Sequence, residues 1–268
     1  MPKIGVIHYN WPGYDLEGFA RRASEIGYKH CELRIGDIWD GVSANGEKTA
    51  EGVRLLLEKY GMRASAVDAG NDFLQADAAD LDAQIERYKY VCRIIPHTGT
   101  DIVRTDGGHD RDGMVPQDAW DGMLLESFKR CAEFLEECNV RIALDNHGTS
   151  TNDGDWQLSL IERVGSDRLG LNLDTMNYRW FGHDLETVDR FFRIVAPHVF
   201  HTHMKDGSGS TPNYKGAALG DGEINLDLAV SCLKEAGYDG AWTAEYEGPE
   251  AEGGVGYEKC YAWLTENI

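Results

Sequence analysis

HVFHTHMKDG, residues 198–207, is an apolar run that closes on histidine, lysine and acid, and the pattern repeated around it decides the fold. Upstream lie VRIALDNHG (140–148) and LGLNLDTMNY (169–178); downstream lies GAWTAEYEG (240–248). Each reads as a buried strand, short, apolar and bounded by polar or glycine residues. Each also places one metal-ligand side chain near its C-terminal end: Asp145, Asp174, His203 and Glu245. In a parallel barrel those ends converge on one mouth, where active sites are built. The convergence predicts an enzyme.

Working outward, strand-like and helix-like stretches alternate eight times. The strands read 3–8, 29–34, 62–69, 101–105, 140–145, 168–174, 198–204 and 241–247. Between them DLEGFARRASEIG (15–27) opens on an acidic cap and closes on glycine. AADLDAQIERYKYVCRII (78–95) spaces its apolar residues for one buried face, and LDLAVSCLKEAG (226–237) again ends on glycine. Alternation at this spacing implies parallel strands joined by right-handed crossovers, and eight units close a barrel. The expectation is α/β, a single (β/α)8 TIM barrel over residues 1–268. No GxGxxG or GxxxxGK[ST] follows a strand, which removes the common nucleotide-binding folds. Long polar loops at 36–46, 107–116 and 206–223 belong on the site face, and the last is long enough to cover it.

Composition narrows the function. A net charge of −20 repels nucleic acid, so no nucleic-acid partner is expected. No apolar run approaches the roughly 18 residues of a membrane span. The N-terminus MPKIGVIHY enters a strand without export-signal features, and six cysteines lack CxxC spacing, so a cytoplasmic enzyme with idle thiols is expected. The acid excess also suggests adaptation to high salt, where counterions screen self-repulsion.

Strand alternation assigns the inward face. Asn172 and Asp174 share it on the sixth strand, His201, His203 and Lys205 on the seventh, Asp145 and His147 on the fifth, and Glu245 and Glu247 on the eighth. His8, Glu32 and Arg34 turn inward on the first two, with Glu32 and Arg34 placed to pair. So many ionisable groups in one mouth are costly unless a cation offsets them. Three carboxylates and an imidazole suit Mn²⁺ or Mg²⁺, and also admit Co²⁺, Fe²⁺ and Zn²⁺.

The final E-Y-E-G (245–248) and the H-x-K-D (203–206), in this strand order, resemble the xylose isomerase-like TIM-barrel superfamily, in its sugar (phosphate) isomerase/epimerase branch. The resemblance spans essentially the whole chain. It implies a divalent metal, foremost Mn²⁺, on Asp145, Asp174, His203 and Glu245, and a small sugar as substrate. It also implies Asp145 and Glu245 as the acid/base pair, and a homodimer or homotetramer. Lys205 would stabilise an oxyanion and His147 would shuttle a proton. His8, Glu32, Arg34, Asn177, Trp11 and Trp180 are candidates for substrate contact, with Trp39 a further aromatic lining. His201, one layer deeper, reads as a core histidine. Two departures stand out: Asp145 where the family usually has Glu, and Asn177 where D-x-x-H would place His.

Three other functions compete. A lyase or dehydratase of the same fold would let the enediolate expel a β-oxygen, as in inosose dehydratases or 3-keto-glycoside-cleaving relatives. An apurinic endonuclease would need more histidines and acids than Asp68 and Asn177 supply. A non-catalytic sugar-binding barrel would not need the acid quartet. The EGGVG stretch (252–256) could cradle a phosphate, but Glu247, Glu250 and Glu252 crowd it, which favours an unphosphorylated sugar.

Overall fold

The structure, a computed structural model, describes residues 2–109 and 113–268. The loop expected at 107–116 therefore lies partly outside the described residues. Ten strands form among the described residues: β1 Lys3–Ile7, β2 His30–Arg34, β3 Arg63–Asp68, β4 Ile102–Thr105, β5 Arg141–Asp145, β6 Leu169–Asp174, β7 Val199–Met204, β8 Asp206–Ser208, β9 Lys215–Ala217 and β10 Ala241–Ala244. Eight of them, β1 to β7 and then β10, close a barrel in which every pairing is parallel. All eight expected strands are present, so the fold is a single TIM barrel. β10 ends three residues early, yet the Glu245 N–H still donates to the Met204 carbonyl at 3.0 Å and holds its side chain at the mouth.

Local chemistry fixes the helices. Asp15 caps the helix Leu16–Ile26 by accepting from the Gly18 N–H at 2.8 Å. Gly27 ends it at φ 127°, with the Tyr261 ring 2.5 Å from where a Cβ would stand, so a side chain there is excluded twice over. Helices Ala78–Ile94 and Leu226–Glu235 form as expected. None of the helices among the described residues is long and apolar enough to cross a membrane.

Alternation on each strand separates two interiors. Outside the barrel wall, Leu169, Leu171 and Leu173 join the large core under the helices with Phe19, Phe128, Phe191 and Phe192. Inside, only Ala66, Ile102 and Ala143 form an apolar floor, with Phe200 against it. Gly170 admits Phe200, whose ring would lie 2.6 Å from a Cβ at that position. Above this floor the lumen is polar through to the mouth.

The loop 206–223 holds a feature the sequence pattern did not announce, the antiparallel hairpin of β8 and β9. It closes on Asp206, whose buried carboxylate accepts from the N–H groups of Gly207, Gly220, Gly222 and Ile224 at 2.8–3.2 Å. Alternation cannot see such a knot, because a carboxylate serving backbone amides needs no periodic partner.

Candidate metal centre and active site

At the top of the lumen, side chains from β6, β7 and the end of β10 converge. Asp174 Oδ1 accepts from the Met176 and Asn177 N–H groups at 2.8 and 2.9 Å, starting the short helix Asn177–Phe181. Its other oxygen, Oδ2, is buried and is met by the Lys205 ammonium at 3.0 Å. His203 Nδ1 is buried too, 2.9 Å from Glu245 Oε2 and 4.0 Å from Asp174 Oδ2. These three residues each offer a ligand atom, all within 4.8 Å of one another. Buried carboxylates this close to one another call for positive charge between them. Two carboxylates and an imidazole form a donor set that fits a divalent cation.

Positive charge already faces this cluster. Lys205 Nζ stands 3.0 Å from Asp174 Oδ2, 3.2 Å from Glu245 Oε1 and 3.5 Å from Glu247 Oε2. Burial alone would lower the Lys205 pKa, but the three carboxylates hold it well above the usual lysine value. Burial would also lower His203, and Glu32 and Glu245 instead keep it well above the usual histidine value. Without metal, His203 is therefore an imidazolium between two carboxylates.

Glu32 stands behind His203 rather than at a substrate surface. It is fully buried, with Oε2 2.7 Å from His203 Nε2 and 3.4 Å from His201 Nδ1. This carboxylate–imidazole contact fixes which histidine nitrogen faces the mouth. The expected pairing of Glu32 with Arg34 is replaced: Arg34 lies at the rim, half exposed, 3.7 Å from Asp37. His201 is the core histidine it was expected to be, bonded to Asn172 at 2.9 Å and Thr243 at 3.1 Å.

Asp145 falls into a second cluster. Arg104, from β4, donates to its Oδ2 through both Nε (3.0 Å) and Nη2, and Asn172 Nδ2 donates to Oδ1 at 2.6 Å. The same guanidinium reaches Asp68 and Asp106, each at 3.2 Å. Burial would raise Asp145, but Arg104, His203 and His147 hold it down at about 2. His147, its side chain 42% exposed, places Nδ1 3.6 Å from Asp145 Oδ2. The expected quartet thus divides into a trio and an aspartate bound to arginine. A methylene shorter than glutamate, Asp145 meets Arg104 with both its oxygens already engaged.

The remaining candidates scatter. Asn177 is buried at the mouth with an unpartnered Nδ2. Trp180 lines a depression there with Tyr9, Asn10, Tyr214, Glu247 and Gly248. His8 instead bonds Asp37 at 2.9 Å and stacks on Phe19. Trp11 stacks on Tyr257 in the outer core, and Trp39 bonds the Ser43 carbonyl beside Tyr90. These three are packing residues, displaced from the mouth by the outward aromatic core. Arg104, Asp106 and Tyr214 escaped the sequence reading. Alternation carried the signal for Arg104, two residues beyond the lumen floor residue Ile102; for Tyr214, in a loop, there was none.

Residues 20–267 of the chain match the model of the xylose isomerase-like TIM barrel family. The chain belongs to that family. One relative within reach by sequence is the inosose isomerase of Halalkalibacterium halodurans, 32% identical over 151 residues, which is 51% of this chain and 52% of the relative. The chain spans about half the length of the curated relatives it matches. Solved structures of similar fold include the IolI protein with a bound zinc atom (TM-score 0.82, 16% identity, 99% and 98% of the two chains covered). Another is D-psicose 3-epimerase with D-tagatose from Clostridium cellulolyticum H10 (TM-score 0.80, 14% identity, 99% and 98% covered).

Proposed function

We propose that the chain is a divalent-metal-dependent isomerase or epimerase of a small sugar or related polyol. The observation that carries this reading is the trio of Asp174, His203 and Glu245, whose ligand atoms are buried at the mouth and all within 4.8 Å of one another. Its sugar relatives, an inosose isomerase and an epimerase solved with D-tagatose, support the substrate class.

Asp174, His203 and Glu245 would hold the cation, with Mn²⁺ the first candidate and Mg²⁺, Co²⁺, Fe²⁺ or Zn²⁺ compatible with the donors. A bound divalent cation supplies polarisation of a carbonyl and stabilisation of the adjacent enediolate. Glu32 keeps His203 Nδ1 directed at the mouth. Lys205, fixed among three carboxylates, offers a donor to a developing oxyanion. Asn177 Nδ2 has a free donor for a substrate oxygen. Glu245 and Asp145 form the acid/base pair. Asp145 stays ionised beside Arg104, which weakens it as a base, and His147 Nδ1 at 3.6 Å is the adjoining group that would carry the proton.

The test is metal-dependent turnover in D₂O with ketoses, aldoses, inososes and 3-keto-glycosides, reading product mass and deuterium together. A mass-neutral product carrying deuterium supports the proposal. A product lighter by water or by an aglycone replaces it with lyase chemistry. Asp145→Ala or Glu245→Gln turning over at the full rate with metal bound would remove these two residues from their roles.

A further inference from the structure

We propose that the depression walled by Tyr9, Asn10, Trp180, Tyr214 and Glu247 is the subsite for the non-reacting end of the substrate, and that it takes a neutral polyol and rejects a phosphate. The inference rests on the sugar chemistry proposed for the adjoining centre. The depression, of about 440 Å³, has the volume of a small-molecule site. It adjoins the centre through Glu247, whose Oε2 lies 3.5 Å from the Lys205 ammonium that also touches Asp174 and Glu245.

Tyr214 is the main witness. Its hydroxyl is buried beside the Glu247 carboxylate, at a position where it can also serve a ligand hydroxyl. The loop is shaped to hold it there. A Cβ on Gly207 would stand 2.8 Å from the Tyr214 ring, and one on Gly216 would stand 2.5 Å from the Glu247 backbone. Both glycines let the hairpin of β8 and β9 press onto the end of β10. The Thr211 N–H donates to the Trp180 carbonyl at 2.9 Å, joining the hairpin to the opposite wall. Asn10 spends its side-chain N–H on the Tyr246 carbonyl at 2.9 Å, which leaves its oxygen as an acceptor. Two phenol donors, an amide acceptor, the Glu247 carboxylate and an indole face are the groups that recognise hydroxyls and C–H faces of a polyol.

The same walls are wrong for phosphate. None of the six lining residues is cationic. The two cations at the adjoining centre are engaged, Lys205 among three carboxylates and Arg104 among three others. At the start of the helix Val255–Asn267, where barrels often seat a phosphate, the Gly254 and Gly256 N–H groups already donate to the Ala251 and Glu250 carbonyls. A dianion beside Glu247 would meet like charge with no donor cluster to offset it.

The experiment is equilibrium binding to the Mn²⁺-loaded protein, followed by calorimetry, of free ketoses, aldoses and inositols and of their monophosphates. Wild type, Tyr214→Phe, Trp180→Leu and Glu247→Gln are compared, with circular dichroism confirming that each variant is folded. We expect a free polyol to bind at least about tenfold more tightly than its phosphate. Tyr214→Phe should weaken the free polyol by about tenfold, and Glu247→Gln should narrow the discrimination against phosphate by about tenfold or more. Phosphate binding equal to or tighter than the free sugar overturns the proposal, as does a panel in which no neutral polyol binds. Binding that responds to Tyr214 and Glu247 without any turnover in D₂O would keep the subsite and remove the isomerase reading, so the two failures are separable.

Discussion

Asp174 is buried near Glu245 and Asp145, and burial with these neighbours pushes its carboxyl up to about 7 against the pull of Lys205. A metal needs this carboxylate ionised and His203 neutral at Nδ1, whereas below about pH 7 the empty site keeps both protonated. Affinity for Mn²⁺ should therefore rise with pH through 7, with proton release; calorimetry in two buffers of different ionisation enthalpy measures it. Glu32→Gln, which weakens the hold on His203, should lower metal affinity by about 10–100-fold in chelator competition. Arg104→Ala leaves the buried Asp106 and Asp145 and the half-buried Asp68 without their counter-charge and should cost about 3–5 kcal/mol at neutral pH, read by urea unfolding. At this scale the sequence was partly legible. Position along each strand was enough to bring Asp174, His203 and Glu245 to one end of the barrel, because parity and strand ends are set by backbone geometry. It could not say that Asp145 would turn to Arg104, or that Glu32 would turn to His203 across the lumen, since partners on distant strands depend on side-chain reach.

Elements were read more securely when periodic. The barrel strands and the helices 16–26, 78–94 and 226–235 follow from repeat, caps and closing glycines. The hairpin 206–217 does not, because its stability lies in one carboxylate serving four amides and in glycines that admit close backbone contact. Asp206→Asn keeps the shape but replaces one acceptor oxygen with a donor, and it should cost about 1–3 kcal/mol. The loss should show as faster proteolysis within 206–223 and as weaker sugar binding, since Tyr214 rides on this hairpin. Equal cleavage rates in variant and wild type would refute the role of Asp206 as the loop's tie.

Across the whole molecule, 46 acids face 26 lysines and arginines. The buried mouth accounts for a few of these acids, so most of the imbalance sits on the surface, where salt screens it. Melting temperature should rise steadily as potassium chloride goes from low to molar concentration, measured by scanning calorimetry at pH 7; a flat response would show that the acidic surface is only a solvating coat. The division of each strand into two interiors has a further meaning. Cohesion is written mainly on the residues that face the helices, and chemistry on the alternate residues that face the lumen. Each strand thus carries two interleaved texts that can be edited separately. A lineage, or a protein engineer, can rewrite what the barrel recognises while leaving intact the letters that tell it how to fold.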